Sequence, residues 1–306
     1  MAHDHAHHGP AAYDKRFALG IALNIIFVVV EVLYGFAADS MALLADAGHN
    51  LSDVLSLVLA WAASALARKQ PSRKRTYGMG RSTIYASLAN AALLLVAVGA
   101  ITMEAVERFQ HPVAVSTSIV IWVAAVGTVI NTATALLFMS GSKHDLNIRG
   151  AFLHMAADAG VSLGVVVAAL VIAMTGALWI DPLMSLFIVA VIAVGTWGLF
   201  RESLDLAMDA VPRGIDLESV ERYLLELPGV IAYHDLHVWP LSTTSTALTV
   251  HLVRPESDRV AAGFLHQVGD ELRERFGIDH ATIQLETDES RCTLHGACVF
   301  RKETTK

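Results

Sequence analysis

Charged residues and cysteines are both scarce in this sequence of 306 residues. Only 17% of the residues are Asp, Glu, Lys or Arg, whereas 54% are hydrophobic. Because soluble domains carry about a quarter charged residues, this composition predicts a membrane protein with a soluble part. The two cysteines, Cys292 and Cys298, both lie near the end of the chain and do not indicate a disulfide framework. The net charge of −7 gives no reason to expect nucleic-acid binding.

The amino-terminal segment 1–16 is polar and lacks an apolar core followed by a cleavage site. We therefore expect no secretory signal peptide. The segment contains several histidines, which predict a flexible tail that attracts metal ions: His3, His5, His7 and His8.

Six long apolar runs follow, each with about the 20 residues that a helix needs to cross a bilayer. They predict an all-α transmembrane domain over 17–208, with spans at 17–37, 41–66, 82–107, 116–140, 148–174 and 179–200. Basic residues precede the first span, cluster between the second and third, and follow the fourth and sixth. By the positive-inside rule, both termini lie in the cytoplasm and the protein spans the cell membrane several times.

The pattern changes after the sixth span, where charged residues become frequent. Periodicity and turn residues predict helices at 215–227 and 259–276, and strands at 230–239, 246–253 and 281–286. The order α-β-β-α-β indicates a small cytoplasmic α/β domain over 209–287. Residues 288–306 show no periodicity and are predicted to form a flexible tail.

A histidine and an aspartate lie four residues apart in the second span, and the same spacing recurs in the fifth. The pairs are His49 with Asp53 and His154 with Asp158. Residues four apart share one helix face, so two such helices would present two imidazoles and two carboxylates, a tetrahedral set that suits Zn²⁺. Ionisable residues are costly inside a membrane, so a purely structural role for both pairs is a minority interpretation.

These side chains are also suited to carrying protons. Metal binding needs a neutral imidazole and an ionised carboxylate, so a site of this kind exchanges protons for metal. Imidazole ligands also accept Cd²⁺, Co²⁺ and Ni²⁺. The roles of two further acidic residues in the apolar spans stay open at this point. Asp46 either orients an imidazole or caps a helix, and the role of Glu31 is ambiguous.

The cytoplasmic domain contains a second group of candidate metal ligands. His234 and His237 lie on its first strand, His251 on the second, His266 on a helix and Glu286 on the last strand. His237 and His251 are expected to project from one face towards Glu286. A metal site and scattered structural histidines are about equally supported.

Several motifs together resemble the cation diffusion facilitator family, and its zinc-transporting branch in particular. They are the two His-x-x-x-Asp pairs, the loop 77–81 (YGMGR), the strand 234–239 (HDLHVW) and the strand 282–286 (TIQLE). The resemblance implies a homodimer, a metallochaperone-like cytoplasmic domain, and proton-coupled export of Zn²⁺ by alternating access.

The resemblance also assigns roles to individual residues. It implies that the transport site is formed by His49, Asp53, His154 and Asp158. It implies a cytoplasmic zinc site formed by His237, His251 and Glu286, with His234 and His266 as further candidates. Finally, it places Arg81 and Asp209 where a charge interlock joins the two protomers.

Two features of the sequence refine these expectations. The segment 68–76 contains no His, Asp or Glu, so we expect no metal site there, and its basic residues suit anionic lipid headgroups. Family members with Asp in place of His49 tend to accept Cd²⁺ alongside zinc, so His49 leads us to expect a preference for zinc.

Two other functions are compatible with parts of the sequence. An intramembrane metal-dependent hydrolase would need an open coordination position and a general base, yet no His-Glu-x-x-His motif occurs. A membrane-anchored metal sensor would bind zinc in the cytoplasmic domain without moving it across the membrane.

Overall fold

The computed structural model describes residues 15–139, 146–254, 263–287 and 301–302. The amino-terminal histidines, Cys292 and Cys298 lie outside these ranges. The chain divides into two compact units, Met1–Val58 with Asn90–Gly198 and Leu59–Ala89 with Leu199–Lys306.

Six long helices occupy the positions of the six predicted spans. They are α1 (Lys15–Ala37), α2 (Met41–Ala67), α3 (Ser82–Gln110), α4 (Thr117–Met139), α5 (Leu146–Thr175) and α6 (Ile180–Ala207). Within the described residues, four stretches are long and apolar enough to cross a membrane: Ser82–Gln110, Thr117–Leu136, Met155–Thr175 and Ile180–Ala207. The predicted all-α membrane domain is confirmed.

Helices α1, α4 and α5 pack together in the first unit. Helix α5 lies along α4, and α1 also packs on α4. The approach of α1 is close because residue 127 is glycine: a Cβ atom there would lie 2.4 Å from the Phe27 ring. Val120, Ala124 and Val165 are buried in the resulting core. Both His-x-x-x-Asp motifs, the first on α2 and the second on α5, belong to this same compact unit.

Asp181, near the start of α6, fixes the start of α2. Its buried carboxylate accepts hydrogen bonds from the Ser40 hydroxyl at 2.6 Å, the Met41 N–H at 2.7 Å and the Ala42 N–H at 3.3 Å. The first N–H groups of a helix have no partner within the helix, so Asp181 acts as an N-cap supplied from a distant part of the chain. The first turn of α2 is therefore held in place before the helix reaches His49.

We expect Asp181→Ala to lower the free energy of unfolding of the membrane unit by about 1–3 kcal/mol, because it leaves buried N–H donors without an acceptor. The change is measured as a lower thermal midpoint in detergent. Ser40→Ala keeps the carboxylate on the Met41 and Ala42 N–H groups and leaves only the Leu43 N–H, which donates to the Ser40 hydroxyl at 3.2 Å, without that acceptor, so its effect should be smaller. An unchanged midpoint in Asp181→Ala would show that the cap does not stabilise α2.

The second unit contains a four-stranded sheet with two helices. Its elements are α7 (Leu217–Glu226), β1 (Ala232–Pro240), β2 (Thr246–Val253), α8 (Phe264–Phe276), β3 (His280–Glu286) and β4 (Arg301–Lys302). The strand order is β3-β2-β1-β4. β2 and β3 are parallel, as the crossover through α8 requires, and the other pairs are antiparallel. Leu224, Leu248 and Leu272 lie in the core that the helices and the sheet share.

The α-β-β-α-β order agrees with the sequence prediction, but the sheet extends further than expected. Arg301 and Lys302 pair with Tyr233 and Ala232 of β1, so part of the predicted tail adds an edge strand. Aperiodic segments can pair through their backbone alone, which side-chain patterning does not reveal. Residues 288–300, 303–306 and 259–262 lie outside the described residues.

Candidate metal centres

The first candidate centre joins α2 to α5 in the first unit. His49 Nε2 lies 3.1 Å from Asp158 Oδ1, so one member of each His-x-x-x-Asp motif meets the other. The Asp158 side chain is buried and the His49 side chain is 21% exposed. A histidine beside a carboxylate is a common arrangement in zinc sites.

The other two predicted ligands lie on the same helices. Asp53 follows His49 by four residues in α2, and His154 precedes Asp158 by four residues in α5. Both motifs are helical throughout, so each pair occupies one helix face. The side chains of Asp53 and His154 lie outside the described residues, and their participation in the site stays a prediction.

A layer of buried polar contacts lies beside this pair. Asp46 Oδ2 accepts a hydrogen bond from the Ser162 hydroxyl at 2.8 Å, which is a second link between α2 and α5. Glu31 Oε2 accepts a hydrogen bond from the Asn50 amide at 2.9 Å, which links α1 to α2. Both acidic side chains are 0% exposed. The sequence contained a signal for this layer, because Ser162 lies four residues after Asp158 and Asp46 lies three before His49.

A cavity of about 440 Å³ lies in the same unit, between α1, α2 and α3. Gly48, directly before His49, is one of its lining residues. Asp39, Glu104 and Arg108 also line it, near the turn between α1 and α2. Glu104 and Arg108 form an ion pair at 3.1 Å. The cavity thus connects a charged helix end to the residue beside the first candidate centre.

The second candidate centre lies on three strands of the cytoplasmic domain. Glu286 of β3 binds His251 of β2 through Oε1 at 2.7 Å and His234 of β1 through Oε2 at 2.9 Å. One ligand atom from each of the three residues lies within 4.8 Å of the others, which is close enough for a single metal ion. His234 is 1% exposed. Histidines and a carboxylate in this arrangement form a zinc-type ligand set.

The electrostatics of this cluster favour a charged carboxylate. Partial burial acts to raise the pKa of Glu286, but the hydrogen bonds with His234 and His251 outweigh it and hold the pKa below its ordinary value. Glu286 is therefore ionised at neutral pH, the form that binds a metal ion. Gln284 supports the carboxylate with a further hydrogen bond to Oε1 at 2.9 Å.

The structure brings together three of the five predicted members of this cluster. His237 was expected to join His251 and Glu286, but it is 62% exposed and contacts Asp235 at 3.0 Å. His234 takes the position beside Glu286 instead, because it pairs directly with His251 across the two strands. The cause is a β-bulge between His234 and His237, where Asp235 has a φ of +52°. A bulge inserts one residue into a strand, which simple alternation does not anticipate.

One other predicted residue, His266, lies elsewhere, and one residue near the cluster, Asp235, was not predicted. His266 is exposed on α8 and is not part of the three-residue cluster found among the described residues. Asp235 Oδ2 lies 3.7 Å from His251 Nε2, so this aspartate connects His237 to the cluster indirectly. Sequence reasoning passed over Asp235, although its position between His234 and His237 was a usable signal.

Arg81 and Asp209 form an ion pair within a single chain. Both side chains are well exposed, at 40% and 50%. An exposed pair of this kind contributes little to stability. The pair joins the loop before α3 to the segment after α6, and an interlock between protomers stays a prediction.

The turn between β1 and β2 contacts the start of α3 in the second unit. The Thr83 hydroxyl accepts a hydrogen bond from the Thr243 N–H at 3.0 Å. Gly80 approaches the Leu241 carbonyl so closely that a Cβ atom would lie 2.7 Å from its oxygen. The turn that joins the strands of His234 and His251 is therefore in direct contact with the beginning of a membrane helix.

The comparison with known families covers almost the whole chain. The family model described as the cation efflux transmembrane domain matches residues 17–206, and the model described as the cytoplasmic domain of cation efflux proteins matches residues 212–288. The chain belongs to the cation diffusion facilitator family. Membership confirms the resemblance drawn from the motifs and the two-part architecture.

Three relatives match this transporter over most of their length. The cation efflux system protein CzcD of Alcaligenes sp. is 34% identical over 94% of this chain and 90% of its own. The cadmium, cobalt and zinc/H⁺-K⁺ antiporter of Bacillus subtilis is 34% identical over 94% of this chain and 93% of its own. The zinc transporter ZitB of Escherichia coli is 35% identical over 94% of this chain and 93% of its own.

These matches decide between the classes of function that the sequence had left open. The protein is a membrane protein that transports metal cations and is not a metal-dependent hydrolase. The prediction of a secondary transporter is confirmed at this level.

Proposed function

We propose that this transporter exports Zn²⁺ from the cytoplasm in exchange for protons, at a site formed by His49, Asp53, His154 and Asp158. The observation that carries the proposal is the 3.1 Å contact between His49 and Asp158, which brings the two motifs together inside the apolar helices. The names of the relatives, a zinc transporter and a cadmium, cobalt and zinc/H⁺-K⁺ antiporter, support a metal of this class and a coupled mechanism.

The chemistry of the site supports proton exchange. Zn²⁺ binds neutral imidazoles and ionised carboxylates, so protonation of His49 or Asp158 competes with the metal. In the metal-free state the His49–Asp158 contact keeps both groups hydrogen-bonded within the apolar interior. A metal that enters displaces this contact, and protons that arrive from the other side displace the metal.

Alternating access needs a route from each side of the membrane to one site. The positive-inside rule places the turn between α1 and α2 on the non-cytoplasmic side. The cavity that Asp39, Glu104, Arg108 and Gly48 line supports an exit route there, since it reaches the residue next to His49.

The cytoplasmic cluster supports a regulatory role. We propose that Zn²⁺ bound by His234, His251 and Glu286 stabilises the sheet and strengthens a homodimer formed through the cytoplasmic domains. The contact of the β1–β2 turn with Gly80 and Thr83 supports a connection to α3. The residues of this site differ from those in the membrane, so bound zinc adjusts transport without forming part of the path.

Flux in proteoliposomes tests the proposed transport. Vesicles that contain the full-length protein are offered Zn²⁺, Cd²⁺, Co²⁺, Ni²⁺ or Mn²⁺ with and without an imposed pH gradient. We expect Zn²⁺ to accumulate fastest, Mn²⁺ to be excluded because an imidazole-containing site disfavours it, and accumulation to require the gradient. Equal uptake of all five ions, or uptake that ignores the gradient, would contradict the proposal.

A further inference from the structure

Glu31 and Asp46 are buried acidic residues to which the proposed metal site assigns no role. Both side chains are 0% exposed. Each has one carboxyl oxygen in a hydrogen bond, Glu31 Oε2 with Asn50 and Asp46 Oδ2 with Ser162. The other oxygens, Glu31 Oε1 and Asp46 Oδ1, have no hydrogen-bond donor within the described part of the chain.

The Asn50 amide, which holds Glu31, lies four residues after Asp46 on α2, so the two carboxyl groups lie on one face of that helix. Their surroundings offer little positive charge. The titratable groups that face them are Asp158 on α5, which acts on both, and His49 on α2, which acts on Asp46. Helix α4, which packs against α1, contains no titratable residue. No Lys or Arg occurs between residues 17 and 67. An apolar interior does not tolerate several close carboxylates that are all ionised.

A proton between the two carboxyl groups satisfies these observations together. It supplies the donor that Glu31 Oε1 and Asp46 Oδ1 lack. It also removes one of the three negative charges that Glu31, Asp46 and Asp158 would carry if all were ionised. Neighbouring carboxyl groups that share an apolar site behave as a unit that holds one proton. A bound metal cation is less suited, because the Asn50 amide and the Ser162 hydroxyl already donate hydrogen bonds to one oxygen of each carboxyl group.

We propose that Glu31 and Asp46 form a proton-binding site that is separate from the four metal ligands. Zn²⁺ at the His49–Asp158 site places two positive charges near this pair, and the repulsion expels the proton. Loss of the metal allows the proton to return. Because linkage is reciprocal, occupation of the pair by a proton lowers the affinity of the neighbouring site for zinc by the same factor. This coupling step rests on the proposed exchange of zinc for protons.

The bound proton is tested directly by infrared spectroscopy on the purified full-length protein at neutral pH, without metal. The wild type should show the C=O stretching band of a neutral carboxylic acid. Glu31→Gln should lose the band, and Asp46→Asn should shift its frequency, because the neutral acid then has an amide in place of a carboxylate beside it. Both substitutions keep the shape of the side chain, and unchanged amide bands confirm that the variants fold. Glu107→Gln, which alters an exposed carboxyl on α3, should keep the band. Retention of the band in Glu31→Gln, or a band at an unchanged frequency in Asp46→Asn, overturns the proposed site.

The coupling is tested by counting protons. When Zn²⁺ is added to the weakly buffered protein, Glu31→Gln should release about one proton fewer per bound ion than the wild type. It should still bind zinc, because none of the four ligands has changed. Equal release from both proteins overturns the coupling. The infrared measurement needs neither metal nor flux, so a wild type that shows the band but no pH-driven zinc uptake would refute the proposed function and leave the proton site standing.

Discussion

Replacing Asp158 by asparagine lowers zinc transport by more than about 100-fold, a larger loss than that expected for residues which only support metal ligands. Asp158 is 1% exposed and contacts His49 at 3.1 Å, so it supplies both a ligand charge and the partner of an imidazole. Asparagine fills the same volume but carries no charge, and neutral amides are poor zinc ligands. The loss is measured as the initial rate of Zn²⁺ uptake into proteoliposomes.

The control for this variant is Glu107→Gln, which removes a charge from an exposed position on α3 and should transport at the wild-type rate. Equal incorporation into vesicles and equal thermal midpoints exclude a folding defect. If Asp158→Asn retained a tenth or more of the wild-type rate, Asp158 would not be an essential ligand.

The second large effect concerns the cytoplasmic cluster, where Glu286→Gln should abolish zinc-dependent stabilisation. Glu286 is the residue that contacts both His234 and His251, and it is the only carboxylate in the cluster of described residues. A metal that binds only the folded state stabilises it by about 4 kcal/mol at a concentration 1,000 times its dissociation constant. Hydrogen exchange of the β1 and β2 amides in the full-length protein, with and without Zn²⁺, measures this protection.

His266→Ala is the matched control, because His266 is an exposed histidine of the same domain outside the cluster. It should keep the full protection by zinc. If zinc still protected these amides in Glu286→Gln, the proposed cytoplasmic metal site would be wrong. Zinc flux in Glu286→Gln should persist with altered dependence on zinc concentration, because the site adjusts transport.

The sequence was sufficient for the parts of the structure that depend on periodicity. The six helices begin and end within a few residues of their predicted bounds, apart from α6, which continues to Ala207 where the prediction ended at 200. An apolar run predicts the width of a bilayer, whereas α6 continues past that width into a polar turn that hydropathy does not mark. The contact of His49 with Asp158 also agrees with the spacing of the two motifs.

The features that could not be predicted from the sequence depend on local irregularities of the backbone and on long-range contacts. The bulge at Asp235 moved His234 into the cytoplasmic cluster and left His237 exposed, since one inserted residue changes which side chains are neighbours. The cap that Asp181 supplies to α2 joins residues 140 positions apart, and no local pattern reveals such a contact. Glu31 stayed ambiguous for the same reason, because its environment is assembled from α1, α2 and α5.

The most direct test of the account follows zinc and protons together. Proteoliposomes containing the wild type are prepared with a higher proton concentration inside than outside. The uptake of Zn²⁺ and the internal pH are recorded in the same sample. Proton-coupled export predicts that zinc accumulates above its external concentration while the interior becomes more alkaline, and that a protonophore stops the accumulation. Zinc accumulation that leaves the internal pH unchanged and persists with the protonophore would contradict proton-coupled export.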